Sequence, residues 1–466
     1  MIFRYFVKFV YLFVMLHLFD SRKRKKVEFI PLKNGEVSFY SCGPTVYNRV
    51  HIGNLRAFIF SDLLYRWLKN GCGYTVKWVM NVTDVDDKTI KGSCFSEKQD
   101  IVGDVSLSLD DINKSNLSKL SVFTEKYTDL FFQDLSKVSI EKSSFVSLPK
   151  ATDYIGEMKN LIQKIVNNGF GYVSDGSVYF DVLKYAEYAK GNGFTYGELG
   201  HVDFDKMEET DRISEDNFDT RSKFDFVLWK AKKQGEPFWS FDIIDKKNGE
   251  SVCLDGRPGW HIECSAMEKS LFDTFPFDIH SGGVDLCFPH HEDEIAQSRA
   301  GYGEDPARYW VHNEHLMIDG KKMSKSLGNF YTLEDLEVRG FSSDLVRFFL
   351  VINSYGKKVN LSDESLGGAK TMLERLRKNI IKIRESEGFP ECKELEKSKR
   401  RFEKAMNNNL NTPVAIAEFF GFIKKMSKMS ALEIAKESES YKNNKICFSE
   451  YVDYVESVFG VNFITL

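Results

Sequence analysis

GEVSFYSCGPTVYNRVHIGNLRAFIFSDLLYRWLKNGCGYTVKWVMNV, residues 35–82, changes its apolar period twice. GEVSFY alternates apolar and polar residues and predicts a strand ending at Tyr40. SCGPTVYNRV is rich in turn formers and predicts a loop. From His51 onward, Leu55, Phe58, Ile59, Leu63 and Trp67 recur at helical spacing, and Gly71 predicts the stop. YTVKWVMNV predicts the next strand. Strand, loop, helix and strand in this order open a parallel α/β sheet.

Outward from that unit the pattern changes. Between about Lys98 and Val227, short polar stretches surround one clear helical pattern near Tyr154–Asn168 and a hairpin-like GYVSDGSVYFDV. This reads as an insertion that splits the α/β domain. Its Ser/Lys/Asp-rich start, Lys98–Lys119, predicts a flexible loop. The α/β pattern resumes near Pro258. FDIH predicts a strand, HEDEIAQSRAGYG a helix and RYWVHN a strand. HLMIDGKKM predicts a hairpin, with Asp319-Gly320 as a type I′ turn. After Leu333 the chain reads as mostly helical, and KTMLERLRKNIIKIRE sets an apolar stripe against a basic face.

The expected fold is α/β, a Rossmann-type parallel-sheet catalytic domain split by an insertion and followed by an α-helical bundle. The expected division is an upstream extension at 1–14, first catalytic half at 15–97, insertion at 98–235, second half at 236–316, a loop and stem-contact region at 317–365, and a bundle at 366–466.

A chain of 466 residues exceeds one ordinary core, which agrees with several domains. The net charge of −4 means that any nucleic-acid contact must come from a local basic face. Eight cysteines at irregular spacing, with no Cys-x-x-Cys pair, are no disulfide framework, and a reducing cytoplasm fits them. MIFRYFVKFVYLFVMLHLFD is apolar, but Arg4 and Lys8 interrupt it and no small-residue cleavage site follows. We read it as an upstream extension of a cytoplasmic protein that opens at Met15, with no membrane partner.

Two strings carry nucleotide chemistry. His51-Ile52-Gly53-Asn54 stands where the first loop enters a helix, whose free N–H groups and positive dipole attract phosphate. Alone it is equally an ordinary capped helix start. Lys321-Lys322-Met323-Ser324-Lys325-Ser326 follows the hairpin, and lysines spaced by three can clamp a triphosphate and stabilise charge at the α-phosphorus. A basic run alone is usually a solvated loop; KMSKS followed by LGN, in a domain that opened with HIGN, is far more specific.

The pair resembles the class I aminoacyl-tRNA synthetase signatures. The family usually ends the first motif in His where this chain has Asn54, which keeps a donor and loses a possible charge. The resemblance implies that His51, Gly53 and Asn54 bind ATP, that Lys322 and Lys325 stabilise the transition state, and that Mg2+ accompanies the ATP.

Cys42, Cys264, His290 and Glu294 are candidates for one metal cluster. His290 and Glu294, four apart, share a helix face, while His291, Glu292 and Asp293 are expected to point elsewhere. Two sulfurs, an imidazole and a carboxylate suit Zn2+. Taken singly, each is as well explained as a buried thiol, a core residue or a surface pair. SCGPTVYNRVHIGN, NVTDVDDK, RPGWHIECSAM, FPHHEDEIAQS and KMSKSLGNF, in this order, resemble the cysteinyl-tRNA synthetase family. PKATDYI and NNNLNTP are weaker echoes.

By that match, Cys42, Cys264, His290 and Glu294 are the zinc ligands. Thr83, Trp260 and His280 are expected to wall the amino-acid pocket, and Asp285 to accept from the ribose of ATP. The implied partners are L-cysteine, ATP and tRNA(Cys), acting on a monomer. The implied reaction is formation of cysteinyl-adenylate and transfer to the terminal ribose. Arg375, Arg377, Lys378, Lys382, Arg384 and Lys397–Arg401 are candidates for following RNA phosphates. No equivalent of the small domain that family members often carry after the bundle is evident before Leu466. A ligase joining cysteine to an amino sugar, and a degenerate synthetase that only binds RNA, are the alternatives; the long insertion, helical C-terminal third and intact motifs argue against them.

Overall fold

The computed structural model describes residues 15–95, 108–202, 222–244, 249–323, 328–385, 392–429 and 439–464. The extension at 1–14 and Lys325 lie outside the described residues. The chain opens with a small antiparallel pair, β1 (His17–Asp20) and β2 (Lys25–Glu28). The deciding stretch then forms β3 (Glu36–Ser41), α1 (Ile52–Arg66) and β4 (Thr75–Met80). A wider helical turn at Trp67–Gly71 continues α1 to the glycine that stops it.

The insertion follows α2 (Asp87–Phe95). It holds α3 (Leu109–Lys137), α4 (Ile155–Asn167), β5 (Gly171–Ser174), β6 (Ser177–Phe180), α5 (Val182–Gly191), β7 (Phe226–Ala231), β8 (Trp239–Ile244) and β9 (Ser251–Pro258). Its strands make one antiparallel sheet in the order β5-β6-β7-β9-β8.

Two expectations are corrected here. Residues 109–119 are not a loop but the first turns of α3, and 98–107 lie outside the described residues. The helix was signalled by Ser108-Leu109-Asp110-Asp111: Ser108 Oγ accepts from the Asp111 N–H, and Ser108 donates back to the Asp111 carboxylate, closing the helix start. The boundary at 235/236 also moves. β9 pairs with β7 and β8 pairs with β9, so the insertion sheet runs to Pro258. Local alternation marks these residues as strands, but only long-range pairing decides which sheet they join.

The second half consists of α6 (Trp260–Leu271), β10 (Phe277–Gly283), α7 (Glu292–Tyr302) and β11 (Ala307–Asn313). The four main strands are all parallel in the order β11-β10-β3-β4. The chain leaves β3 through α1 toward β4 and leaves β10 through α7 toward β11. The two crossovers diverge between β3 and β10, so a crevice opens at their carboxyl ends, the place where open α/β sheets bind ligands.

β12 (Leu316–Ile318) and β13 (Lys321–Lys322) form the hairpin. Asp319 (φ 48°) and Gly320 (φ 75°) both take positive φ, as a type I′ turn requires. Then come α8 (Leu333–Val338), α9 (Ser343–Val351), β14 (Val359–Leu361) beside β12, and a helical end of α10 (Asp363–Glu385), α11 (Cys392–Asn407), α12 (Thr412–Met429) and α13 (Glu439–Phe459). One apolar core runs from β3 and α1 through α9 into these last helices, so the bundle is fused to the catalytic sheet. Cys447 is disulfide-bonded, whereas Cys42, Cys72, Cys253, Cys264 and Cys287 are free thiols. No helix of the described residues is long and apolar enough to cross a membrane.

Candidate active site

The SCGP loop leaves β3 pressed against the end of β4. A Cβ on Gly43 would lie 1.6 Å from the Asn81 carbonyl oxygen, so this position accepts only glycine. The Gly43 N–H also donates to Asn81 Oδ1 at 2.8 Å, which fixes the neighbouring Cys42. Gly43→Ala is therefore expected to push Cys42 away from its neighbours, lowering both the metal content of the purified protein and its denaturation midpoint. Full metal content at an unchanged midpoint would contradict this.

Cys42 meets residues from α6 and from the entrance of α7. Its Sγ is 3.9 Å from Cys264 Sγ and 3.9 Å from Glu294 Oε1. Cys264 Sγ is 3.7 Å from His290 Nε2, and that nitrogen is 2.9 Å from Glu294 Oε1. These four residues, drawn from three separate segments, bring one donor atom each within 4.8 Å of all the others. The edges of a tetrahedron around zinc are about 3.8 Å between sulfurs and about 3.3 Å between nitrogen and oxygen. The donor set and its spacing fit that ion.

The cluster is buried, which acts strongly on its protons. Burial pushes the Cys42 thiol up to about 12. The hydrogen bond to Cys42, and then burial, hold the Cys264 thiol well above its usual range. Burial opposes charge on His290, but Glu294 and Cys264 outweigh it and raise its pKa to about 10. Loading a divalent metal here must displace protons from the thiols and the imidazole.

The structure corrects the expectation for His291. Its Nε2 lies 3.2 Å from Cys42 Sγ, and Cys42, His280, His291 and Glu294 form a second, overlapping group of possible ligands. The helix-face argument fails because regular α-helix begins only at Glu292; Phe288 is extended, and His290 and His291 precede the helix. Glu292 and Asp293 do point away: the Leu199 N–H donates to Glu292, and the Tyr196 hydroxyl to Asp293.

His280 is 0 % exposed, so it lies behind the cluster and not on an open pocket wall. Its Nε2 is 2.8 Å from Glu294 Oε2, a hydrogen bond, and 2.9 Å from Glu268 Oε1, a charge contact without hydrogen-bond alignment. Thr83 is buried too, and its hydroxyl donates to Glu263 Oε2 at 2.7 Å. Trp260 is open to solvent at 41 % and stacks on His290 with ring centroids 4.1 Å apart.

The sequence reading missed the supports. His261 Nδ1 sits 2.9 Å from His290 Nδ1, and His312 Nε2 sits 2.7 Å from His291 Nδ1. His312 in turn contacts Ser21 Oγ at 2.8 Å. Among nine histidines in 466 residues, six fall between 261 and 315, a density that signals this network.

His51 caps α1 by accepting the Asn54 N–H on its own ring nitrogen at 3.1 Å, while the Asn54 side chain is exposed. The chain after the second motif returns to this point. Ile52 N–H donates to the Tyr331 carbonyl at 2.8 Å, His51 bridges to Thr332, and the His51 ring meets Phe330 edge-on. A Cβ on Gly53 would stand 3.4 Å from Met323 Cε. Met323, before the gap in the described residues, and residues 330–332, after it, thus both meet the start of α1, and Lys322 is exposed on β13. Asp285 is exposed just after β10.

Residues 28–371 match the family described as tRNA synthetases class I (C) catalytic domain, and residues 401–463 match the DALR domain. A cysteine–tRNA ligase of Brachyspira hyodysenteriae is 41% identical over 417 residues, covering 87% of this chain and 79% of that one. The chain belongs to the cysteine–tRNA ligase family. A cysteine–tRNA ligase of Fusobacterium nucleatum is 39% identical (92% and 85% covered), and one of Leptospira interrogans 36% (96% and 87%). A methionyl-tRNA synthetase of Mycobacterium tuberculosis solved with methionyl-adenylate shares the fold at 13% identity, with a TM-score of 0.56 over 91% of this chain and 89% of that one. The family is one of aminoacyl-tRNA ligases.

Of the basic residues considered for RNA, several are engaged within the protein. Arg377 pairs with Asp344 and donates to the Asn462 carbonyl. Lys397, Arg400 and Arg401 face Glu394, Glu396 and Glu418.

Proposed function

We propose that this ligase activates L-cysteine with ATP and transfers it to the 3′-terminal ribose of tRNA(Cys), using zinc held by Cys42, Cys264, His290 and Glu294 to read the thiol. The observation that carries this is the convergence of those four donors at the sheet's switch point, in a chain whose first nucleotide motif opens the helix that follows β3. Bound zinc supplies a soft acceptor that prefers a thiolate to a hydroxyl, a distinction that shape alone makes weakly.

The protein's own residues position and stabilise. Trp260 closes one side of the cluster. Thr83 is buried, donates its hydroxyl proton to Glu263 and accepts from the Asn81 amide, and so braces the site from behind. The start of α1 offers its positive end and the exposed Asn54 side chain to the phosphates of Mg2+-bound ATP, the Ile52 and Asn54 N–H groups being already donated within the protein, and Asp285 is an acceptor for its ribose. The cysteine carboxylate forms a bond to the α-phosphorus as pyrophosphate leaves, with Lys322 and Lys325 offsetting charge there. The 2′-hydroxyl of the terminal ribose then attacks the adenylate carbonyl, loses its proton and expels AMP. No protein nucleophile is required.

Metal analysis together with cysteine-dependent ATP–pyrophosphate exchange tests the reading. Zinc-bearing protein should catalyse exchange with cysteine and hardly with serine, and then charge tRNA. Exchange that leads to charging of an amino sugar and not of tRNA would replace the acceptor; no exchange at all would leave an RNA-binding protein. Lys325→Ala should slow adenylate formation roughly 100-fold with little change in cysteine binding. Pre-steady-state kinetics showing weakened binding and an unchanged rate would remove Lys325 from this role.

A further inference from the structure

Arg56 stands on α1 two residues beyond Asn54 and is 4 % exposed. The hydrogen bonds its guanidinium makes among the described residues all end on backbone carbonyls, and they reach two separate segments. One is His315, immediately before β12. The other is the turn ahead of β14, through Ser354, Tyr355 and Lys357, the last at 2.6 Å. These segments also bond to each other: Glu314 N–H donates to the Tyr355 carbonyl at 2.8 Å, and Val359 N–H to the His315 carbonyl at 3.3 Å. They form the root of the hairpin that presents Lys322. On the far side of the second motif, the Tyr331 carbonyl accepts from Ile52, so α1 is tied to the chain both before and after that motif. Burying a guanidinium with no carboxylate hydrogen-bonded to it among the described residues is costly, and burial pulls its pKa down to about 10 against the opposing charge of Glu314. Carbonyls held this way fix direction as well as distance, because the planar fork accepts few arrangements.

We propose that Arg56 is a positioning residue for adenylate formation: it sets the distance between the phosphate-binding start of α1 and the hairpin that carries Lys322. This rests on the activity proposed above and adds a residue that touches neither substrate. Its loss lets the two halves of the cradle shift, and a displacement of about 1 Å costs on the order of 100-fold in rate.

The test is ATP–pyrophosphate exchange by the full-length, zinc-loaded protein, with ATP and cysteine varied separately. Arg56→Met should lower kcat/KM for ATP on the order of 100-fold, with the cysteine KM within about two-fold of the unaltered protein and zinc content unchanged. Arg56→Lys, which keeps the charge but not the fork, should recover part of the loss. Ile423→Ala, a cavity in the bundle core, supplies a control with a lowered denaturation midpoint. If Arg56→Met matches Ile423→Ala in ATP kinetics where both are folded, or if ATP and cysteine parameters fall together, the positioning role is overturned. If Arg56→Met does not fold, the same readouts on Arg56→Lys decide. Absence of exchange in the unaltered protein overturns the proposed activity itself; exchange there with unaffected Arg56 variants overturns this role alone.

Discussion

Cys264→Ser is expected to reduce zinc content and to lower cysteine-dependent exchange by at least about 100-fold, while ATP binding stays nearly intact. Cys264 is one of two sulfurs in the cluster and stands 3.9 Å from the other. Serine fills nearly the same space, so α6 and the Thr83–Glu263 bond beside it should persist. What changes is the donor. A hydroxyl keeps its proton at neutral pH and its oxygen is hard, so it replaces a thiolate poorly on zinc. The measurements are metal analysis, exchange with cysteine and with serine, and nucleotide binding. Unchanged zinc together with an unchanged preference for cysteine over serine would remove Cys264 from the ligand set, and His291, 3.2 Å from Cys42 Sγ, would then be the next ligand to test.

Arg347→Met is expected to cost about 3–5 kcal/mol of stability. Arg347 is fully buried on α9 and pairs with the buried carboxylate of Asp62 on α1. It also donates to the Val138 carbonyl at 2.6 Å and to the Phe459 carbonyl at 2.7 Å, joining the ends of α3 and α13 to the catalytic helix. Gly460, at φ 63°, leaves room for the guanidinium; a Cβ there would collide with it. Burial pulls the basicity of Arg347 down and Asp62 restores part of it, so the pair is held together by its own geometry. Removing one partner strands the other: among the described residues Asp62 would keep only Arg66, and two carbonyls would lose this donor. Urea denaturation of Arg347→Met should show the loss, and adding Asp62→Leu should cost less than the two single losses summed. A loss below about 1 kcal/mol, the scale of an exposed pair, would show that this hub does not join the domains.

Particular residues show how far the linear chain could be read. β3, α1 and β4 were legible because each carries its own period, and the turn at Asp319-Gly320 because two successive positive φ values favour those residue types. Glu294 and His290 were legible as a spaced pair. His291 was misread because helix-face geometry was extended past the first residue of the helix. His280 was read as a pocket wall because a histidine in a strand gives no sign of which neighbours close over it; Glu268 and Glu294 do so from two different helices. α3 carried a capping signal that its Ser/Lys/Asp-rich surroundings obscured, and β8 and β9 carried strand signals without a destination.

The amino-acid order by itself determined what depends on neighbours a few residues apart: the alternating strands, the helix starts and stops, the hairpin turn, and the chemical kinds of donor available. Tertiary structure alone decided what depends on residues tens to hundreds of positions apart, namely which sheet β8 and β9 join, that Arg56 and Arg347 clamp distant backbone, and that Cys42, Cys264, His290 and Glu294 meet around one point. The reason is physical. Local preference follows from backbone sterics and side-chain period, whereas convergence follows from how the crossovers diverge at the centre of the parallel sheet, which no short window of sequence contains.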